Sequence, residues 1–424
     1  MLIAIIMGWH KTCLNSITII ASIENMMALN DLTILDLTHM VSGPYGAMLL
    51  ADLGAQVIKV EPPTIGEGTR RLLENDSTYS KDGMGAYFLT LNRNKKSICI
   101  DLKSDEGKLV FRELVRKADI VIDNFSVGVT ARLGIDYLQL KKVNPRIITC
   151  SITGFGSTGP DIHRPAFDQV IQAMGGGMSI TGDEHTGHIR SGIPIGDLGG
   201  GIFGALGILA ALMAREKTGV GQHVDISMLD VQISLLSYMG TMSLMSNEAP
   251  KGIGNGHFIH VPYNCYKTQD GYIVIACIGD SFFEKFAEFI KIPELQNPEY
   301  RSQPVRFKDK ALIDKLISEE LLKNTTEYWL TNLTKVRIPC GPVNNMIQAL
   351  EDIQVNSRNM VVNIELDSGE MIRMPGNPIK LTSTVTEIFS PPPKIGQNTS
   401  EVLRNLLDYS QVHIDELAKN GIIQ

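Results

Sequence analysis

No paired-cysteine motif occurs in this 424-residue chain. Its six cysteines, Cys13, Cys99, Cys150, Cys265, Cys277 and Cys340, are scattered, with no CxxC and no histidine at zinc-binding spacing. No metal site is therefore expected. Cys99, Cys150, Cys265 and Cys277 lie in apolar stretches and read as small core residues in a reducing, cytoplasmic setting. Positive charge is not in excess: 39 Lys and Arg against 46 Asp and Glu give a formal net charge of -7. No overall basic face for nucleic acid or an anionic membrane is expected, and a polyanionic ligand would need a local basic pocket. A Walker-type phosphate loop, a GxGxxG after the first strand, GxSxG, HExxH and an EF-hand pattern are all missing. The generic signatures of nucleotide hydrolysis, dinucleotide binding, serine-type acyl transfer and metalloproteolysis are thus absent. The charge-free stretch LGGGIFGALGILAALMA at 198–214 has 17 residues, short of the ~20 that a spanning helix needs. It reads as a helix buried in a soluble protein, with no membrane expected.

What is present is an ordinary globular composition, 43% hydrophobic and 20% charged, long enough for two domains. The opening segment, MLIAIIMGWHKTCLNSITIIASIENM, is apolar but broken by Gly8, His10, Lys11 and Asn15. It has neither the cleavage site of a secretory signal nor the arginines of a mitochondrial presequence. A loosely attached extension over 1–28 and a true start at Met26 or Met27 stay open as readings. Beyond it, strands and helices alternate. TILDLTH (33–39), AQVIKVEP (55–62), KSICIDL (97–102 and its flank), DIVIDNF (119–125) and RIITCSITGF (146–155) read as strands. Ser42 suits an N-cap for a helix ending near Leu53, with Gly54 as its stop. Ser104 caps a second helix, with Phe111, Leu114, Val115 and Ala118 at helical spacing. Such alternation implies a doubly wound, Rossmann-like parallel sheet, with ligands outside the carboxyl ends of its strands. From about residue 225 the texture changes. Residues 226–250 read as helical, a Gly-rich loop spans 252–263, and GYIVIACIGDSFFEKFAEFI (271–290) reads as strand, turn and helix capped by Asp280. The expected organisation is a large domain over 29–224, a smaller α/β domain over 225–330, and a part at 331–424 that returns to the large domain.

Longer blocks carry more. LDLTHMVSGPYGAMLLADLGAQVIKVEPP (35–63), NRNKKSICIDLK (92–103), DNFSVGVTARLGIDY (123–137), NPRIITCSITGFGSTGP (144–160), AFDQVIQAMGG (166–176), GDLGGGIFGALGILAALMAREKTGVGQHVDISMLD (196–230), IPCGPV (338–343) and MPGNPIK (374–380) occur in this order. Together they resemble the class III CoA-transferases, over nearly everything after residue 29. Within that family the chain most resembles the acetyl-CoA:oxalate type. The resemblance implies transfer of coenzyme A from an acyl-CoA to a small carboxylic acid, oxalate- or succinate-like. It also implies no permanently bound cofactor, CoA thioester as substrate, and an interlocked homodimer.

Gly196-Asp197 matches the family's Gly-Asp pair, which makes Asp197 the implied nucleophile. Its carboxylate would pass through an aspartyl anhydride and an aspartyl-CoA thioester. A carboxylate at a helix N-terminus is held as an anion by the dipole and by free N–H groups, which also suit an oxyanion. On its own, however, an Asp before a helix is most often an N-cap. By resemblance, CoA contacts map to Ser42, Leu102, Lys103, Asn124, Phe125 and Arg132, with Lys103 and Arg132 suited to phosphates. The related α-methylacyl-CoA racemases use a His at the position of Phe167, so a racemase would lack its base here. A non-catalytic CoA-binding protein is the remaining alternative, opposed by the retained Asp197. Val41 stands where formyl-CoA transferases have Gln, which disfavours formyl-CoA as donor. His163 reads as a solvated loop residue. Residues 252–256 are either a flap over the site or a plain loop.

Overall fold

The computed structural model describes residues 26–424, so most of the expected extension, and Cys13, lie outside the described residues. Two compact units form. One comprises 26–176, 191–240 and 356–424, the other 177–190 and 241–355.

The first half of the large unit contains β1 (Thr33–Asp36), α1 (Ser42–Asp52), β2 (Gln56–Glu61), β3 (Lys95–Cys99), α2 (Asp105–Lys117), β4 (Ile120–Asp123) and α3 (Val129–Leu133). It continues through β5 (Ile148–Thr153), α4 (Asp168–Met174), α5 (Ile195–Thr218), β6 (His223–Ser227) and α6 (Met228–Leu235). The six strands pair in parallel in the order β3-β2-β1-β4-β5-β6, which is the doubly wound order. Its switch point lies between β1 and β4, where Ile34 pairs with Ile120 and Asp36 with Ile122.

Residue alternation explains why helices cover both faces. Ile34, Val57, Ile120, Ile122, Ile148 and Cys150 pack with Ala47, Leu50, Ile208, Ala211 and Leu212 from α1 and α5. Leu35, Ile58, Val60, Ile98 and Val121 pack on the other side with Phe111, Leu114 and Val115 of α2 and with Leu403, Ile414 and Leu417 near the C-terminus. The start of α2 follows the sequence closely: Ser104 Oγ accepts from Gly107 N at 3.0 Å, Asp105 and Glu106 occupy the first turn, and Arg116 and Lys117 the last. At α1 the sequence reading needs correction. Val41 is the N-cap and makes no side-chain cap bond, while Ser42 is the first helical residue.

α5 runs for 24 residues, longer than the charge-free stretch, so its length does meet that of a membrane span. Its packing is that of a sheet-covering helix. A Cβ at Gly46 would lie 2.6 Å from Gly201 O, one at Gly201 2.5 Å from Ser42 O, and one at Gly204 2.8 Å from Ile152 Cδ1. The glycines therefore let α5 press its backbone against α1 and β5. Burial is one-sided, contrary to the sequence reading: Ile202, Leu206 and Met213 are 48%, 58% and 64% exposed.

The second unit holds a three-stranded antiparallel sheet of β7 (Tyr263–Lys267), β8 (Tyr272–Ala276) and β9 (Cys340–Pro342), with β8 central. Phe283, Phe286, Ile313, Ile317 and Trp329 fill its core. Gly279, not Asp280, caps the helix Asp280–Ile290, because Asp280 Oδ1 instead accepts from the buried Arg306 at 2.8 Å. The loop at 252–256 docks within this unit: Gly254 N donates to Gly182 O at 2.7 Å.

Candidate active site

The site is built at the switch point, on the segment that leaves β1. Asp36 ends that strand between two fully buried lysines. Lys95 Nζ lies 2.9 Å from Asp36 Oδ2, and also reaches Pro44 O and Asn92 Oδ1 at 3.0 Å. Burial opposes ionisation of Asp36, but Lys59, Lys95 and the Thr38 hydroxyl outweigh it and hold the carboxyl far below its ordinary range. Burial pulls Lys95 down to about 8, partly offset by Asp36. Lys59 Nζ donates to Thr38 O at 2.8 Å, fixing the start of the turn. Met40 follows in the left-handed region at φ 64°, with its N–H on Glu67 Oε2 at 3.3 Å.

From the far side of the switch point, Asn124 grips the same turn. Its Nδ2 donates to His39 O at 2.7 Å and its Oδ1 accepts from His39 N at 2.8 Å. The Asn124 amide thus ties the segment after β4 to the segment after β1, and it acts on the turn rather than standing free for a ligand. Phe125 comes next, its ring 5.5 Å from that of His39. Burial lowers the pKa of His39, with Lys59 acting in the same direction, so the ring is neutral at physiological pH.

Two cavities adjoin, sharing His39 and Phe125 as walls. One, of about 380 Å³, is lined by Leu102, Lys103 and Arg132 among others. Lys103 and Arg132 are exposed, and neither makes an ion pair among the described residues. The other, of about 290 Å³, is lined by Ser42, Asn124 and Asp197, by Val41, and by His163, Arg164 and Phe167. The sequence-predicted residues therefore divide between two neighbouring chambers, Phe125 belonging to both, and all seven are accounted for. Phe167, 69% exposed, lines the chamber of Asp197 and carries no proton. His163 is exposed in its loop, as expected, yet also lines this chamber.

Asp197 is not an N-cap. Pro194 holds that position, and Asp197 is the third residue of α5. The N–H groups assigned from sequence to an oxyanion are already taken. Gly196 N and Asp197 N both donate to Asp168 Oδ1, at 2.8 and 3.3 Å. Ile195 N and Leu198 N donate to Ile193 O and Pro194 O. A carboxylate from the first turn of α4 thus caps the helix that carries Asp197, and Gln172, one turn along α4, donates its Nε2 to Asp168 Oδ2 at 2.7 Å. The expectation of a stabilised anion fails as well. Burial first, and the Asp168 charge second, push the Asp197 carboxyl up to about 6. Such a group is still largely ionised at neutral pH, and it is more basic than an ordinary aspartate. The arrangement presents a partly desolvated carboxylate with no cation bonded to it among the described residues, beside a second chamber carrying two available cations.

Sequence reasoning missed His39, Asp168 and Arg164. The signal for Asp168 was an acid opening a helix with Gln four residues on; its target lies 29 residues away (197 − 168) and leaves no local pattern.

A sequence model of "CoA-transferase family III" matches residues 29–399. The chain is 34% identical over 406 residues to succinyl-CoA:glutarate CoA-transferase of Mus musculus, covering 95% of this chain and 91% of that protein. It is 38% identical over 353 residues to acetyl-CoA:oxalate CoA-transferase of Acetobacter aceti, covering 83% and 88%. Among solved structures it resembles a CAIB/BAIF family protein from Brucella suis, with a TM-score of 0.81 at 33% identity, over 90% of this chain and 100% of that one.

Proposed function

The chain belongs to CoA-transferase family III and is a CoA-transferase; from that premise we propose that Asp197 is its nucleophile and that small dicarboxylic acids are its acceptors. The observation that carries this reading is the Asp197 carboxylate, basic for its type and without a cation bonded to it among the described residues, lining a chamber that adjoins a second one with Lys103 and Arg132.

In the proposed sequence, an Asp197 oxygen attacks the acyl carbonyl carbon of the donor thioester. The C–S bond breaks, CoA leaves as thiolate, and a mixed anhydride remains. The thiolate attacks Cγ of Asp197, expels the donor acid as its carboxylate, and forms the aspartyl-CoA thioester. The acceptor carboxylate then displaces CoA thiolate to give a second anhydride. Thiolate attack on the acceptor carbonyl of that anhydride yields the new acyl-CoA and restores the Asp197 carboxylate. Protons and electrons balance without a redox or metal step. Lys103 and Arg132 suit the CoA phosphates, and the thioester arm runs past Phe125 and His39 to Asp197. Asn124, through His39, fixes the turn that forms the shared wall. Ser42 and Leu102 complete the two chambers. Val41 presents a methyl surface where a polar side chain would favour a formyl group. Dicarboxylic acids are favoured as acceptors because the related transferases are named for succinyl, glutarate and oxalate.

A homodimer and a cytoplasmic setting belong to the same proposal. The apolar stripe of Ile202, Leu206 and Met213 on α5 is a surface that a second copy would cover. Cys99, Cys150, Cys265, Cys277 and Cys340 are all unpaired, which suits a reducing compartment.

The test is Asp197→Ala assayed with acetyl-CoA and succinate. Transfer and hydroxylamine-trapped acyl-enzyme should both vanish while CoA binding persists. Transfer at the wild-type rate would overturn the assignment.

A further inference from the structure

Among the described residues, the chamber that Asp197 lines holds one permanently charged cation, Arg164. His39 is neutral through burial, whereas a guanidinium stays protonated at any working pH. Arg164 is weakly committed where it stands. Its Nη1 makes a single 3.4 Å contact with Asp161 Oδ2, three residues before it, and both side chains are about half exposed (49% and 44%). Exposed pairs of this kind contribute little, so an incoming carboxylate displaces Asp161 at small cost. The guanidinium also lies over the Phe155 ring, 5.5 Å from its centroid, which limits its directions of reach while leaving its edge available. The same chamber is lined by Val41, Ile152, Phe155 and Met228, apolar surface suited to a short methylene spacer. A dicarboxylate entering the chamber brings two negative charges toward Asp168 and Asp197. Without a counter-cation the second charge is a liability; beside Arg164 it becomes the recognition element.

We propose that Arg164 is the specificity residue of this enzyme, pairing with the remote carboxylate of a dicarboxylic acceptor while the near carboxylate reacts at Asp197. The inference rests on reading this chamber as the transfer site. The acids it selects are those with a second carboxylate at most a few carbons from the first, and a monocarboxylate, which lacks that group, gains nothing from it.

The experiment compares wild type, Arg164→Gln and Arg164→Lys, with acetyl-CoA as donor and either succinate or propionate as acceptor. In Arg164→Gln the succinate-over-propionate ratio of kcat/KM should fall by about 10- to 100-fold, the range for one charge-assisted pair, and the fall should appear in the KM for succinate. Arg164→Lys should recover part of the ratio, since it keeps the charge and loses the fork. An unchanged ratio, or a loss carried by the KM for acetyl-CoA, overturns the proposal, the latter placing Arg164 on CoA instead. Mass spectrometry of wild type with acetyl-CoA alone separates the two layers. Absence of any adduct on Asp197 refutes the transfer site itself. Adduct formation with an unchanged ratio refutes Arg164 alone.

Discussion

Asp168→Asn isolates one charge beside Asp197, the proposed nucleophile. The Asp197 carboxyl stands about two units above its ordinary 3.8, with burial the larger cause and Asp168 the smaller. Asp168 is therefore the smaller contributor to the rise, worth on the order of 1 kcal/mol at most. The asparagine keeps a carbonyl oxygen where Asp168 Oδ1 accepts from Gly196 N and Asp197 N, so α5 stays capped. Its amide, however, would face Gln172 Nε2, a donor, and Gln172 cannot turn over freely because its Oε1 accepts from Ser191 N at 2.8 Å. One hydrogen bond is lost, a stability cost of about 1 kcal/mol. Asp197 must be ionised to attack, so activity climbs as pH rises through its pKa. The acid limb of kcat/KM for the acyl-CoA, followed from about pH 4.5 to about pH 8, should move down by up to about one unit in the variant. The plateau should also fall, because a less basic carboxylate is a weaker nucleophile. An acid limb that stays in place, or moves up, refutes the claim that Asp168 raises Asp197 by its charge.

Two further outcomes follow from the same residues. Because the folded pKa of Asp197 is raised, its ionised form destabilises the native state; the penalty is fully present above about pH 6 and is lost as pH falls below 3.8. Asp197→Asn should then be inactive but more stable at pH 8, by ~1–2 kcal/mol once partial solvent screening is allowed against a ceiling of ~3; equal melting-temperature differences at pH 8 and pH 4 would contradict it. Gly201→Ala should lose ~1–3 kcal/mol of stability, since its Cβ meets Ser42 O at 2.5 Å, backbone that cannot step aside. Gly341→Ala, with nothing within 4 Å, serves as the control in the same thermal denaturation series, and equal melting points for the two variants would disprove the clash.

How far the fold was legible depends on where each residue's partners lie. β1 to β5 were readable because each is largely buried and carries Ile, Val or Cys residues clustered between turn signals. β6 was missed: HVDIS lies at the sheet edge, its Val224 and Ile226 alternate with polar neighbours, and its last two residues fall inside the stretch read as helical from 226. At Ser104 the cap and its target are three residues apart and the sequence displays both. At Asp197 the controlling partner comes from another helix, and sequence reasoning assigned its N–H donors to the wrong acceptor. The resemblance supplied Asp197, Lys103 and Arg132 as ligand positions. It did not reveal that Asn124 spends its amide on the backbone of His39, a contact made across 85 residues of chain.

The glycine contact between α1 and α5 has an evolutionary consequence. Gly201 lies one helical turn beyond Asp197 and packs against the carbonyl of Ser42, so Asp197 and the turn beside it share a single stiff frame. The segment from Phe155 to Phe167, carrying Arg164, is mostly irregular chain outside that frame. On the proposed assignments of Asp197 and Arg164, reaction geometry and substrate choice are housed in separable pieces of the molecule. A lineage can exchange residues in the irregular segment and acquire a different acid without moving the atom that does the chemistry.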